Sequence, residues 1–138
     1  MNRLELQAIS RQRKREAAAL LHAGLFPGAC YLAGYAVECA LKACIAKQTK
    51  RHDFPDKHLA NECWTHDLQK LVQLAGLGPD LNKDMNASPA LQVNWAIVKD
   101  WDEGLRYDVT ITAAQARDLY SACTRRRSGI LSWIRRKW

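Results

Sequence analysis

Four aromatic and charged residues stand at helical spacing in an otherwise apolar stretch, and their types could bind a phosphorylated ligand. They are Tyr31, Tyr35, Glu38 and Lys42. Their spacing places all four on one side of an α-helix. Lysine can bind phosphate, glutamate can orient that lysine, and tyrosine rings can stack on a base. This stripe is therefore the first candidate site for a nucleotide or RNA.

The same stripe has two structural explanations. Glu38 and Lys42 could form a helix-surface ion pair worth only about 0.5 kcal/mol, with the tyrosines wedged between neighbouring helices. A mostly buried helix disfavours such a pair, because burying charges costs free energy unless they are well paired. Alternatively, Glu38 holds Arg106 or Lys42 in place across the fold. The residues alone leave all three explanations open.

A second group of reactive side chains lies between residues 52 and 66. His52, His58, Cys63 and His66 include a Cys-x-x-His pair that could coordinate zinc. Zinc sites of the usual kinds have closely spaced ligand pairs on both sides of the site, and the spacing here matches no standard pattern. We therefore predict neither a bound metal nor another cofactor.

The net charge of +7 is concentrated at the two ends of the chain. Residues 1–16 carry five basic and two acidic side chains, and residues 117–138 carry seven basic and one acidic. The stretch between them carries nine basic and eleven acidic side chains. If the ends lie side by side in the fold, they form one basic surface facing an anionic partner. Otherwise they are the solvated faces of two terminal helices.

The tail RRRSGILSWIRRKW mixes six basic residues with two tryptophans. Its arginines could bind RNA phosphates while Trp133 or Trp138 stacks on a base. A frayed, solvated helix end is the alternative. An anionic membrane surface is disfavoured, because the apolar face of this helix is needed for the core.

The composition predicts one cytoplasmic domain over residues 1–138. Hydrophobic residues make up 48% and charged residues 25% of the chain, which excludes a disordered protein. Five cysteines without a CxxC pair indicate free thiols in a reducing compartment. We predict no secretion signal and no membrane association, since Glu38 and Lys42 interrupt the longest apolar stretch.

Helical periodicity dominates the sequence, and no β-hairpin signal appears. The first predicted helix spans 3–23, and a central buried helix follows over 29–48. The next helix runs from Thr65 as N-cap to Gly76, and a short segment starts at Gly78. A further helix runs from Pro89 to near Gly104, and the last one runs from Thr112 as N-cap through Ile134. Residues 49–64 are predicted to form a loop with at most a short helical turn, and residues 105–112 to be extended.

Three patches together resemble the HEPN superfamily. The segment AGYAVECALKACIAK, residues 33–47, is similar to the family's core helix with its Gly-Tyr-Ala-x-Glu-x-x-Leu-Lys pattern. The segment THDLQKLVQLAG, residues 65–76, is similar to the family's His-Asp-Leu helix start. LRYD at 105–108, followed by TAAQARDLYSAC, resembles the Arg-Tyr entry into the final helix. Their order and spacing extend across nearly the whole chain.

The resemblance implies an all-α antiparallel bundle of four to five helices, like the substrate-binding subunits of nucleotidyltransferases. It also implies a homodimer, binding of RNA or a nucleotide, RNA cleavage, and pairing with a minimal nucleotidyltransferase in toxin–antitoxin or defence systems. With it, His66, Arg106 and Tyr107 join the helical stripe as candidate nucleotide- or RNA-binding residues.

Ribonuclease members of the family carry an arginine and, four to six residues later, a histidine at the start of the final helix. In the resemblance Arg106 corresponds to that arginine, but no histidine follows it. The pairs Arg15–His22 and Arg51–His58 match the spacing numerically and are interpreted as chance matches, one on the first helix and one in a loop.

The missing histidine restricts the chemistry. Metal-free RNA cleavage needs a base, an acid and a cation, and arginine supplies only the cation because it stays protonated. Arg106 and Asp108 are therefore the candidate catalytic residues, with Tyr107 or His66 as further acid–base candidates.

These observations favour an RNA- or nucleotide-binding module. The alternative is a metal-independent ribonuclease that uses Arg106 with a non-standard partner, and a third class is a scaffold with no nucleic acid. Trp95, Trp101 and Trp133 are more aromatic surface than a small bundle easily buries, which favours a homodimer.

Overall fold

The computed structural model describes residues 1–49 and 57–138, and within them the backbone is helical with no β-strand. This confirms the predicted all-α fold. The α-helices are α1 Arg3–His22, α2 Phe26–Lys47, α3 Lys57–Glu62, α4 Leu68–Leu74, α5 Gly78–Ala87, α6 Pro89–Val98, α7 Ala113–Thr124 and α8 Ile130–Arg135, and a 3₁₀ helix spans Glu103–Tyr107. The helices form a bundle, although it contains more and shorter helices than the four to five that were predicted.

The central helix α2 organises the bundle. Pro27 stands in its first turn, where the missing N–H is not needed. Alanine, glycine and cysteine dominate its sequence, so α1, α4, α7, α8 and the 3₁₀ helix can all approach it. It is the one helix among the described residues long and apolar enough to cross a membrane, but 72% of its apolar window is buried inside the bundle. Such burial is what a bundle core requires.

Helices α1 and α2 form an antiparallel hairpin. Asn2 and Glu5 make a reciprocal capping box at the start of α1. Gly24 adopts a φ of 76°, which ends α1 and reverses the chain. Ser10 is completely buried and its hydroxyl donates to the Ala36 carbonyl over 2.7 Å. The two helices therefore cross closely at a small polar residue whose hydrogen bond is satisfied.

Helix α4 begins later than the sequence indicated. Thr65 was predicted as its N-cap, but the cap is Asp67, whose carboxylate accepts from the backbone N–H groups of Gln69 and Lys70. A carboxylate is a stronger cap than a threonine hydroxyl and is favoured at the positive helix end. The hydroxyl of Thr65 instead accepts from the Asp67 N–H.

Two other predicted boundaries were wrong. Helix α6 ends at Val98, not near Gly104, because the chain turns at Lys99 and Asp100 and starts a new cap at Asp102. Residues 105–112 were predicted to be extended, but the first three of them belong to the 3₁₀ helix, whose N-cap is Asp102. Local polar capping therefore decided the conformation here.

The predicted last helix is broken into α7 and α8. Its backbone becomes extended at Arg125, and Ser132 donates its hydroxyl to the Arg125 carbonyl over 2.7 Å. Asn94 of α6 also holds this turn by donating to the Ser128 carbonyl. Gly129 packs so near the Arg125 backbone that a Cβ would lie 2.5 Å from it. The apolar spacing continued through the break because both halves face the same core.

The tryptophans do not support the dimer argument that was made from them. Trp101 is 5% exposed and Trp133 2% exposed, and Trp95 is half-buried against the core. The indole of Trp133 also donates to Asp84 over 2.8 Å. One copy of the bundle therefore buries the aromatic surface that was expected to need a partner.

The cysteines behave as core residues. Cys30, Cys39, Cys44 and Cys123 are buried free thiols, and Cys63 is half-buried. Burial raises the pKa of the first three to about 11 and that of Cys123 to about 12. Neutral, unreactive thiols of this kind fit the prediction of free cysteines.

Candidate functional site

The stripe predicted on α2 forms a row of aromatic rings. Tyr31 and Tyr35 are half-buried, with ring centroids 6.0 Å apart and planes within 13°. The buried indole of Trp101 continues the row, 6.2 Å from the Tyr31 ring. Three nearly parallel rings therefore line one side of the bundle, and we call this surface the tyrosine face.

Trp101 is fixed in that row by two contacts with α2. Its Nε1–H donates to the Cys30 carbonyl over 3.1 Å. Its ring fills the space beside Gly34, where an added Cβ would overlap the indole. Gly34 therefore permits the approach that brings the 3₁₀ helix onto the tyrosine face.

Arg106 lies at one end of the tyrosine face. Its guanidinium carbon is 4.9 Å from the centroid of the Tyr107 ring and 5.8 Å from that of Tyr31. The pKa of Arg106 is raised, first by the interaction with Tyr107 and then by hydrogen bonding with Tyr31. Within residues 1–49 and 57–138 no carboxylate lies within 4.0 Å of it. Among the residues that the structure describes, Arg106 is thus a cation held by aromatic rings without a carboxylate partner.

Arg13 of α1 joins the same face, although no pattern in the sequence had indicated it. Its guanidinium carbon lies 5.9 Å from the centroid of the Tyr35 ring. Its Nη1 contacts both carboxylate oxygens of Glu16, the closer at 2.6 Å. This hydrogen bonding raises the pKa of Arg13 and lowers that of Glu16. The i, i+3 spacing permits this ion pair on any α-helix, but only the α1–α2 hairpin places it beside Tyr35.

At the other end of the face, Glu38 is a buried carboxylate with two donors. It is 1% exposed. Lys42 donates to its Oε1 over 2.7 Å, and His66 Nδ1 lies 2.9 Å from its Oε2. Because a carboxylate only accepts, the His66 ring donates from Nδ1 and leaves Nε2 without this partner. Glu38 therefore pairs with Lys42 one turn away on α2 and with His66 across the bundle, whereas Arg106 lies against tyrosines.

His66 also borders a shallow cleft of about 360 Å³. The opposite walls come from the segment around Trp101. The lining contains four acidic side chains and one lysine, namely Asp67, Asp100, Asp102, Glu103 and Lys99. Because acidic groups repel phosphate, an anionic ligand is favoured on the tyrosine face over this cleft.

Asp108 and Tyr107 occupy different environments from each other. The carboxylate of Asp108 accepts from the backbone N–H and the hydroxyl of Thr110, over 2.9 and 2.6 Å. These hydrogen bonds lower the pKa of Asp108 below its usual value, which disfavours proton transfer near neutral pH. Tyr107 is 76% exposed and presents its ring to solvent beside Arg106.

No cluster of three or more His, Cys, Asp or Glu side chains suited to a metal is found in the described stretches. Of the four residues considered for zinc, His52 lies outside them. His58 is paired with Glu62 at 3.5 Å, Cys63 is half-buried, and His66 is bonded to Glu38.

The tyrosine face can therefore bind a flat ring and an anion together. Tyr31, Tyr35 and Tyr107 offer aromatic surface, and Arg106 offers at its edge a charge that no carboxylate of residues 1–49 or 57–138 pairs with. Lys42 and Arg13 add cations that are already paired with carboxylates.

One family model matches the sequence. It is the HEPN domain, and the match covers residues 5–136. No curated protein and no solved structure matches the chain. HEPN domains commonly bind RNA or nucleotides and often form dimers, so the match supports an RNA- or nucleotide-related role in general. The chain belongs to the HEPN domain family, as its three sequence patches predicted.

Proposed function

We propose that this HEPN domain binds single-stranded RNA or a nucleotide on the tyrosine face, with Arg106 holding a phosphate. The observation that carries the proposal is the position of Arg106, which lies over two tyrosine rings with no carboxylate partner among the described residues. A guanidinium stacked on a ring keeps N–H groups at its edge, and these can bind phosphate in a bidentate manner.

Arg106 is better suited to this role than the other two cations of the face. Lys42 is held by buried Glu38, and Arg13 is held by Glu16. Each of these pairs is nearly neutral as a unit, so its attraction for a phosphate is weak. Arg106 has no such carboxylate partner in the described part of the chain, so its charge is available to the ligand.

The tyrosines supply the second part of the recognition. Tyr107 is exposed next to Arg106, and the centroid of the Tyr31 ring lies 5.8 Å from the guanidinium carbon. A base stacked on an aromatic side chain contributes roughly 1–3 kcal/mol. A nucleotide can therefore place its phosphate on Arg106 and its base on Tyr107 without entering a deep pocket.

The test is fluorescence anisotropy with a labelled oligouridine of twenty nucleotides. Arg106→Ala is expected to weaken binding about tenfold and to reduce the dependence of log K on log salt by about 0.7, the contribution of one phosphate contact to a single strand. Tyr107→Ala is expected to weaken binding with little change in the salt dependence. Lys83→Ala on α5, which also removes one positive charge, is the matched control.

Equal losses in Arg106→Ala and Lys83→Ala would show that only net charge matters and would refute the site. Binding that is unchanged by salt would refute phosphate recognition altogether. Unfolding curves of each variant separate a binding defect from a folding defect.

A metal-independent ribonuclease is the second candidate, and the Glu38–His66 hydrogen bond favours it. Glu38 orients the imidazole through Nδ1, so Nε2 is available as an acid or base. His66 is therefore a better partner for Arg106 than Asp108, whose carboxylate is bonded to Thr110. The acidic lining of the cleft beside His66 opposes RNA there, and for that reason binding is the leading proposal.

An RNA cleavage assay in EDTA separates the two candidates. A ribonuclease would lose its activity in both Arg106→Ala and His66→Ala, whereas His22→Ala, at the exposed end of α1, would keep it. Absence of cleavage by the unmodified protein would leave the binding module. Cleavage that survives both site variants would point to a contaminant or to a different site.

The assembly is proposed from the family. We expect a homodimer and, as its partner in a toxin–antitoxin or defence pair, a minimal nucleotidyltransferase. Exposed Val93 and Ile97 on α6 are apolar surface available for a second copy. Light scattering that gives the mass of one chain at micromolar concentration would contradict the dimer.

A further inference from the structure

The two basic ends of the chain meet at Trp138. The guanidinium carbon of Arg11 lies 4.9 Å from the centroid of the Trp138 ring, and that of Arg135 lies 5.7 Å from it. Lys137 also lies here, with its ammonium group 5.2 Å from the centroid of the Trp133 ring. We call the surface formed by Arg11, Arg135, Lys137 and Trp138 the end surface.

The tail is fixed to the bundle, so this meeting is built into the fold. The Lys47 ammonium at the end of α2 donates to the Lys137 carbonyl over 3.1 Å. The Trp138 N–H donates to the carbonyl of Ile134, which is completely buried. Trp138 is therefore held in position as a platform between a helix from each end of the chain.

The charges of the end surface are largely uncompensated. No carboxylate of the described residues lies within 4.0 Å of Arg11 or Arg135, whereas Lys137 pairs with Asp80 at 3.5 Å. Each guanidinium contacts the indole with its flat face. The N–H groups at the edge of the guanidinium then stay available to a ligand. Two arginines prepared in this way can each bind a phosphate oxygen pair.

We propose that the end surface is a second RNA-binding surface, which contacts two phosphates of a single strand through Arg11 and Arg135. It shares the ligand class of the proposed function but none of its residues. A lipid surface is disfavoured, because the apolar residues of α8 are buried and leave no apolar face to insert. The ligand that fits two separate arginines is a flexible chain carrying a phosphate at each residue.

The test is anisotropy with the labelled twenty-nucleotide oligouridine. The double variant Arg11→Gln with Arg135→Gln is expected to weaken binding at least about tenfold and to reduce the salt dependence of log K by about 1.4, that is, about 0.7 for each of two phosphates. The control is Lys70→Gln with Lys83→Gln, on α4 and α5, which removes the same total charge. It is expected to change affinity about twofold or less, since general charge effects are small beside direct contacts.

Trp138→Ala tests the geometry without changing the charge. It is expected to weaken binding because the two arginines lose their platform, while Trp138→Phe, which keeps a ring, restores most of the affinity. Melting temperatures of all variants identify any that unfold. Full affinity in a folded Trp138→Ala protein would overturn the role of the platform.

Three outcomes would overturn the proposal itself. The first is an equal loss of RNA affinity in the Arg11/Arg135 variant and in the Lys70/Lys83 control. The second is a loss of affinity in the Arg11/Arg135 variant that disappears when Arg106 is also replaced. The third is stronger binding to vesicles containing phosphatidylserine than to the oligonucleotide. If Arg106→Ala alone has no effect while the Arg11 and Arg135 variant does, the tyrosine-face proposal fails and the end surface stands.

Discussion

The indole of Trp101 lies against the backbone of Gly34, in space that a Cβ at residue 34 would occupy. This one contact places the 3₁₀ helix, and with it Arg106, beside the tyrosines of α2. It links a glycine inside a helix, which is unfavourable by itself, to the geometry of the candidate site.

Gly34→Ala is therefore expected to destabilise the protein by about 1–3 kcal/mol, the usual cost of overpacking a core. Displacement of Trp101 is also expected to weaken RNA binding through Arg106. Urea unfolding measures the stability change. Gly78→Ala is the control, because a Cβ there meets nothing within 4 Å, and a stability loss as large as that of Gly34→Ala would contradict the steric explanation.

Glu38→Gln is expected to lower the free energy of unfolding by about 1–3 kcal/mol. The amide keeps the shape of the carboxylate but can no longer accept charged hydrogen bonds from both Lys42 and His66. Both partners reach solvent, which limits the loss. The control Glu62→Gln weakens an ion pair with largely exposed His58, worth about 1 kcal/mol or less. Similar losses of stability in the two variants would mean that the buried Glu38 pairs contribute no more to stability than the Glu62–His58 pair.

Stability is expected to fall as the pH rises above 9. Unfolded thiols lose their protons near their ordinary pKa of 9.0, whereas burial keeps Cys30, Cys39 and Cys44 protonated until about 11. The unfolded chain therefore binds fewer protons in this window, and unfolding becomes more favourable with pH. Melting temperatures between pH 8 and 10.5 measure the effect, which Cys39→Ala should reduce. A stability that does not change across this range would contradict the prediction.

The thiols also predict a labelling pattern. At pH 8 a disulfide reagent should react first with half-buried Cys63, while the buried thiols should react only as fast as the protein opens. Cys63→Ser should remove the fast phase and leave the slow one. Fast labelling of more than one thiol in the folded protein would show that the core opens more readily than its packing indicates.

Asp67→Ala is expected to cost about 1 kcal/mol through loss of the α4 cap. Thr65→Ala should cost less, because its hydroxyl makes one hydrogen bond and does not cap the helix. Thermal unfolding compares the two. Since Asp67 follows His66 directly, its replacement is also expected to disturb the contact of His66 with Glu38. A larger loss of stability in Thr65→Ala than in Asp67→Ala would indicate that Thr65 is the N-cap of α4, as the sequence predicted.

The sequence by itself determined the helical class, the central helix and the family. Apolar character almost all round a helix is visible in the sequence itself, and for α2 it predicted a buried helix over 29–48, within three residues of the observed ends. The stripe of Tyr31, Tyr35, Glu38 and Lys42 also followed from local geometry, because residues at i, i+4 and i+7 share a side of any α-helix.

The tertiary structure alone decided the partners of that stripe. That His66 donates to Glu38 and that Arg106 lies over Tyr31 depend on how separate helices pack, and no spacing along the chain encodes either contact. The break between α7 and α8 also could not be predicted from the sequence, because both helices face one core and their apolar residues therefore keep helical spacing across the break. The basic ends were visible as charges in the sequence, but only packing of the tail against α1 and α2 could bring Arg11 to Trp138.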